Sequence, residues 1–308
     1  MIGIIIFAYG APNSVDDLES YYTHIRYGKK PTAEQLEAAR QRFARTGTAD
    51  LLGAVTQRQA QALELLLKPY FTEPLRVYTA FKHTPPFAQD TVSRMVEEGV
   101  TRILTLPISP LYSKTGAGQY QRKVHKALTR QCQGEPIAVI DVDKWHNHPA
   151  FVRVMSKRVN TAVQWLSEQA RLQSVVIFTA HSQPGAAESH ERYHSEFAEL
   201  AQLIAQALGL SRWTTAYRSA GAKAELWSGP DVKEVIQTAA ANGIRGIVTC
   251  DLLSVTANIE ALFDMGFDCQ ELCQKLNLEF VRTEFLNDSF DFMNALAAIV
   301  RERLQQSV

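Results

Sequence analysis

Three groups of side chains in this 308-residue sequence have types and spacings suited to chemistry. The first is His181, in Phe178-Thr179-Ala180-His181-Ser182, where an apolar run stops abruptly among small neighbours. A side chain at such a point emerges into a crevice. A neutral imidazole there accepts a proton near neutral pH or binds a borderline cation such as Fe2+, although the same pattern also suits a structural histidine. The second group is acidic. Glu260, Asp264 and Asp268 are spaced i, i+4, i+8, which on a helix lines three carboxylates along one stripe. No lysine or arginine lies within that segment to neutralise them. Such a stripe is either a solvated helix face or a path along which a hydrated divalent cation exchanges water for carboxylate. The third group is the basic–aromatic stretch Tyr21-Tyr22-Thr23-His24-Ile25-Arg26-Tyr27-Gly28-Lys29-Lys30-Pro31, extended by Arg42 and Arg45. It suits an anion bearing carboxylates, which arginine holds with two parallel hydrogen bonds, or else it is a solvated loop.

Other candidates are weaker. Cys269 and Cys273 are four residues apart, but neither Cys132 nor Cys250 completes a zinc or iron–sulfur spacing with them. All four are expected to be reduced structural thiols. His146 and His148 lack an obvious third ligand and are expected at the surface. Gly116-Ala117-Gly118 lacks the third glycine and the strand context of a dinucleotide fingerprint.

The elements that must position these groups alternate between apolar runs and amphipathic stretches, which argues for an α/β fold with mostly parallel sheets. Strands are expected over Gly3–Phe7, Arg76–Thr79, Arg102–Pro107, Ile137–Asp141, Ser174–Phe178 and Gly246–Thr249, with helices over Gln57–Leu67 and Phe87–Glu98 among others. The sequence also resembles itself. Ala8-Tyr9-Gly10-Ala11-Pro12 matches Ala180-His181-Ser182-Gln183-Pro184 in register, each after a strand-like run. Pro86 and Gly99 have the same spacing as Pro230 and Gly243, and each pair precedes another strand. Two similar α/β halves are therefore expected. Parallel sheets carry ligands beyond the carboxyl ends of their strands. Tyr9 and His181 are thus equivalent groups at equivalent strand ends, and would lie on opposite sides of a flat ligand if a cleft separates the halves.

Bulk properties narrow the class. The 32 basic and 32 acidic residues balance, so no global field draws the chain to nucleic acid or to an anionic membrane. No run approaches the ~18 apolar residues needed to span a bilayer. The opening Met1-Ile2-Gly3-Ile4-Ile5-Ile6-Phe7 reads as a buried strand rather than a leader, and a cytoplasmic protein is expected.

Taken in order, these motifs resemble the ferrochelatase family, in its Gram-positive type. Ala8-Tyr9-Gly10 with Pro12, then Tyr21 to Arg26, then Lys82-His83 with Pro86-Phe87 is similar to the N-terminal half of those enzymes. Ala180-His181-Ser182, then Trp227 with Gly229-Pro230-Asp231-Val232, then Ile259-Glu260 with Leu262-Phe263-Asp264 is similar to the C-terminal half. Each motif is weak alone, but together they span nearly the whole chain. The resemblance implies two Rossmann-like halves with parallel sheets and a cleft between them. Residues 1–110, joined by a closing helix in 287–308, would form one half and 111–286 the other. It implies insertion of Fe2+ into a porphyrin, coproporphyrin III or otherwise protoporphyrin IX, in haem biosynthesis.

The resemblance also implies residue roles. His181 and Glu260 would be catalytic. Tyr9, Arg26 and Tyr120 would contact the porphyrin. His181, Glu260, Asp264 and Asp268 would handle the metal. No organic cofactor is implied, but a second divalent cation, Mg2+, is implied at the outer acidic site near Arg42. The implied partners are the porphyrin, ferrous iron and, transiently, neighbouring haem-pathway enzymes, with the chain itself a monomer. The sequence departs from the family pattern at several points. Ala257-Asn258 replaces an Asp-His pair, Arg218 replaces a glutamine, and Ala11, Phe43 and Asp50 stand where groups that hold the substrate would be expected. These departures keep two other readings open: a non-catalytic haem- or tetrapyrrole-binding paralogue, and a chelatase for another metal or tetrapyrrole.

Overall fold

The computed structural model describes residues 1–46, 51–131, 136–221 and 223–306. Its strands form two four-stranded sheets of one design. In the first, β1 (Ile2–Ala8), β2 (Leu75–Phe81), β3 (Arg102–Pro107) and β4 (Ala138–Asp141) lie in the order β2-β1-β3-β4. In the second, β5 (Ser174–His181), β6 (Trp213–Arg218), β7 (Gly246–Asp251) and β8 (Glu279–Arg282) lie in the order β6-β5-β7-β8. Every pairing is parallel. The fold is mixed α/β with two like sheets, as the alternation of strand and helix patterns implied.

The chain divides into two compact units. Met1–Trp145, Thr256–Ile259 and Leu286–Val308 form the first, and His146–Val255 with Glu260–Phe285 the second. The boundary expected after residue 110 therefore falls at Trp145. The helix Ala117–Gln131 supplies Tyr120, Val124, Ala127 and Leu128 to the first core, and β4 completes the first sheet beside β3. The closing helix Phe290–Gln306 also belongs to the first unit. Cys132 and Asp50 lie outside the described residues.

Burial explains why β1 and β5 are so apolar. All seven residues of β1 are buried, as are the six inner residues of β5. A central parallel strand is covered by helices on both faces, so its sequence is a continuous apolar run rather than an alternation. Each fully buried isoleucine or phenylalanine contributes about 1.5–3 kcal/mol by leaving water. The second strand of the second unit was missed in sequence because Trp213-Thr214-Thr215-Ala216-Tyr217-Arg218 is mostly polar and only partly buried.

The repeated Pro…Gly spacing has a local cause in each unit. The Pro86 carbonyl accepts a hydrogen bond from Phe81 N–H at 2.8 Å, and the Pro230 carbonyl accepts one from Tyr217 N–H at 2.8 Å. Each proline thus ties the end of a strand to the start of a helix, Ala88–Glu97 in one unit and Val232–Ala241 in the other. Carboxylates cap both helix starts: Asp90 accepts from Phe87 N–H, and Asp231 accepts from Lys233 N–H. Gly99 (φ +77°) and Gly243 (φ +78°) then turn the chain out of the helix in the left-handed region, where a Cβ is disfavoured. Among the described residues, no helix is long and apolar enough to cross a membrane.

Candidate active site

In the second unit, three strand ends bring chemistry together. β5 ends at His181, β6 at Arg218 and β7 at Asp251, and His181 pairs in register with Arg218. Small residues around His181 let its ring stand clear of the strand, with the Trp227 ring 6.4 Å away. Its Nδ1 lies 2.6 Å from the Ser182 carbonyl oxygen. A carbonyl only accepts, so this contact assigns the proton to Nδ1 and leaves Nε2 with its lone pair in the neutral ring. Nε2 in turn lies 3.6 Å from Glu260 Oε2. Two Lewis bases facing each other at that distance are complementary to a proton or a metal cation between them. Burial alone would push the His181 pKa down; the Glu260 carboxylate outweighs it by charge and hydrogen bond, and Arg218 opposes that gain. The net displacement is upward from the ordinary imidazole value.

Arg218 is held rigidly. Its side chain is 2% exposed, and Nε donates to Asp251 Oδ2 at 2.5 Å. The other Asp251 oxygen accepts from the backbone N–H groups of Leu253 and Ser254, and Thr179 Oγ1 donates to Oδ2. The guanidinium also reaches Ser254 Oγ at 2.7 Å and Ser219 Oγ at 3.0 Å. Its NH1 lies 3.5 Å from the same Glu260 oxygen that faces His181. Burial opposes the charge, but Asp251 and Glu260 more than compensate and raise the Arg218 pKa further.

The acidic row differs from the simple α-helical stripe expected. A short helical turn, Ile259–Ala261, leads into a π-helix, Leu262–Asp268, and then into the helix Cys269–Lys275. The wider π turn changes how residues four apart stack, and such segments are concentrated at functional sites. The fold also supplies cations that the local sequence lacks. Besides the approach of Arg218 to Glu260, Lys233 pairs with Asp268 at 2.9 Å and the Ser219 hydroxyl donates to Asp264. Glu260 is thus brought to His181, whereas Asp268 is taken up by a lysine. No group of three or more histidine, cysteine, aspartate or glutamate side chains among the described residues is arranged to hold a metal ion. A second divalent cation such as Mg2+ does not fit a row whose carboxylates already have these partners.

The first unit presents a different chemistry at the equivalent strand end. Tyr9 follows β1 and is 43% exposed. Its ring lies 4.5 Å from that of His83 and 5.2 Å from Lys82 Nζ. Lys82 and His83 continue β2, donating backbone hydrogen bonds to the carbonyls of Ala8 and Tyr9. A buried cation therefore stands at the head of both sheets, Lys82 beside Tyr9 and Arg218 beside His181. Burial, then repulsion by Lys123, lowers the Lys82 pKa to about 8. Burial and the neighbouring lysines and His24 lower His83 to about 3, so its ring is neutral. His24 and His83 approach at 3.0 Å between their Nδ1 atoms. A cavity of about 940 Å³ opens here, lined in part by Asp16, Glu19, His24, Lys82, His83 and Lys123. Arg26, at the end of the helix Leu18–Ile25, donates to the Gln35 side chain.

The remaining candidates are placed as follows. Tyr120 is 6% exposed and stacks on Phe7 at 5.3 Å in the first core. Burial, then the Tyr9 phenol, push its hydroxyl pKa up, so it stays a hydrogen-bond donor. His146 is fully buried rather than at the surface, 2.7 Å from Glu199. His148 caps the helix Pro149–Gln164 by accepting from Ala150 N–H. Ala11 and Phe43, which stand where the family pattern has hydroxyls, pack in small apolar clusters. Cys250, Cys269 and Cys273 are buried, and burial pushes each thiol up to about 12, so they are inert core thiols. Asp251 went unnoticed in sequence; its signal was a carboxylate directly ending the apolar run Ile247–Cys250.

A family model described as Ferrochelatase matches residues 1–304. The chain is 31% identical over 307 residues to a coproporphyrin III ferrochelatase of Geobacillus sp. (strain WCH70), covering 99% of this chain and 98% of that one. It is 30% identical over 310 residues to coproporphyrin III ferrochelatase 2 of Bacillus cereus, covering 100% and 96%. Among solved structures, SirB from Bacillus subtilis with Fe3+ aligns over 98% of this chain and 95% of that one, with a TM-score of 0.60 and 14% identity. At that identity the likeness is one of fold.

Proposed function

The chain belongs to the ferrochelatase family, and from that premise we propose that it inserts Fe2+ into a porphyrin, coproporphyrin III in preference to protoporphyrin IX, as a step of haem biosynthesis. The observation that carries this reading is the pairing of His181 Nε2 with Glu260 at 3.6 Å, on a ring whose Nδ1–H is held by the Ser182 carbonyl. Insertion exchanges two pyrrole protons for one Fe2+ with no change of oxidation state. The two pyrrole N–H bonds break with their electron pairs remaining on nitrogen, the two protons leave to bases, and four iron–nitrogen bonds form, two to these anionic nitrogens and two to the nitrogens that bore no proton. The step needs bases that take protons without holding them too tightly.

His181 with a lone pair on Nε2 meets that need, and Glu260 stabilises the imidazolium that forms. The same two bases are ligands of suitable hardness for an Fe2+ that is losing water. In the first unit, Tyr9 is assigned to the macrocycle face and Arg26 to a propionate. Tyr120 contributes only its hydroxyl, since its ring is in the core. The protein is proposed to act in the cytoplasm as a monomer.

Anaerobic insertion by the purified protein, followed as loss of free-porphyrin fluorescence, tests this reading. Coproporphyrin III and protoporphyrin IX are run side by side, with Co2+ in competition against Fe2+. Faster turnover of coproporphyrin III with iron is expected. Tight binding of both porphyrins without turnover would replace the enzyme by a tetrapyrrole carrier, and preference for Co2+ would change the metal.

A further inference from the structure

The cations beside the acidic row carry an inference that rests on the function proposed above. We propose that Arg218 and Lys233 are resident cations of this site, that Arg218 is a positioning residue for Glu260, and that the protein therefore works without an outer divalent ion. Asp251 is fixed by two backbone N–H groups and grips Nε of Arg218, while Ser254 holds a second nitrogen. With two nitrogens committed to the β7 end, NH1 is left facing Ser219 Oγ and Glu260 Oε2.

That oxygen is shared. It lies 3.5 Å from Arg218 and 3.6 Å from His181 Nε2, so the guanidinium sets where the carboxylate stands relative to the imidazole. A divalent ion bound along the row would do the same work, drawing a carboxylate into place and offsetting its charge. A guanidinium does it permanently, because it is ionised at any working pH and cannot dissociate. Further along, Lys233 Nζ occupies Asp268 at 2.9 Å, and the Ser219 hydroxyl donates to Asp264. A divalent cation entering here would displace a lysine and approach a buried guanidinium, and repulsion from each fixed charge grows in proportion to the entering charge. The register supports a built feature rather than an accident, since Arg218 pairs directly with His181 across β5 and β6.

The test uses the intact protein and two readouts. In the insertion assay with metal-depleted buffer, wild-type turnover is expected to be the same with and without added Mg2+. Arg218→Gln is expected to lower kcat by roughly tenfold, the loss of about one charge-assisted contact, with the porphyrin KM unchanged. Mg2+ is expected to restore part of that loss, and Arg218→Lys, which keeps the charge, to retain most of the activity. A merely structural role would not respond to Mg2+. The second readout needs no activity: binding of Mn2+, followed by its electron paramagnetic resonance. The wild type is expected to bind no Mn2+ that Asp268→Asn abolishes, whereas Arg218→Gln combined with Lys233→Gln is expected to gain such a site. Stimulation of the wild type by Mg2+, or wild-type Mn2+ binding lost in Asp268→Asn, would overturn the proposal. Absence of iron insertion by any form, with the Mn2+ pattern as expected, would reject the proposed function and leave the resident cations standing.

Discussion

The Arg218–Asp251 pair can be tested as a source of stability by removing one partner, then both. Both side chains are almost wholly buried, at 2% and 6% exposure, and they meet at 2.5 Å. Breaking a buried ion pair by removing one member costs about 3–5 kcal/mol, because the survivor is left as an uncompensated charge. Asp251→Asn leaves the guanidinium with Glu260 at 3.5 Å as a substitute partner, which places the cost near the lower end, about 3 kcal/mol. Arg218→Gln leaves the Asp251 carboxylate with the Leu253, Ser254 and Thr179 donors, so its cost is smaller, about 1–3 kcal/mol. In the double variant no charge is stranded. Its total loss is expected to fall short of the sum of the singles by about 1–3 kcal/mol. Equilibrium unfolding in urea, followed by fluorescence of the second unit's tryptophans, measures all four forms. Losses that add to within about 0.5 kcal/mol would show the two side chains to be uncoupled and refute the reasoning.

Three further outcomes are expected. Because Glu260 holds the His181 pKa above its ordinary value against burial and Arg218, Glu260→Gln lets that pKa fall, and the acid limb of the kcat/KM profile moves to lower pH; a limb at unchanged pH would remove His181 as the titrating group. Arg26→Ala is expected to weaken porphyrin binding by about 1.5–3 kcal/mol in a fluorescence titration, whereas an unchanged Kd would place the basic stretch outside the binding site. Gly243→Ala places a Cβ at φ +78° with nothing nearby to clash, so backbone strain alone should cost about 1–2 kcal/mol in thermal or urea unfolding, and no loss would contradict the left-handed helix end.

The sequence made much of this architecture legible because its strongest signals were local. The fully buried β1 and β5 appear as unbroken apolar runs, and the Pro86–Gly99 and Pro230–Gly243 repeats mark helix boundaries that chain geometry imposes twice. The mostly polar β6 and the short β8 lacked that contrast. The site was half legible. His181 and Glu260 could be picked by type and position, but the row Glu260, Asp264, Asp268 looked un-neutralised because its cations come from Arg218 and Lys233, far off in sequence. Tyr120 and His146 show the same limit: a polar aromatic or a histidine gives no sign of whether tertiary packing will bury it.

The central claim is that His181 carries the insertion step, and one comparison tests it most directly. Wild type and His181→Ala are loaded anaerobically with coproporphyrin III, and a single turnover is started with Fe2+. The account predicts that the variant binds the porphyrin with unchanged Kd but inserts iron slower by at least roughly 100-fold, the range for loss of a positioned proton acceptor. Insertion by His181→Ala at the wild-type rate would contradict it.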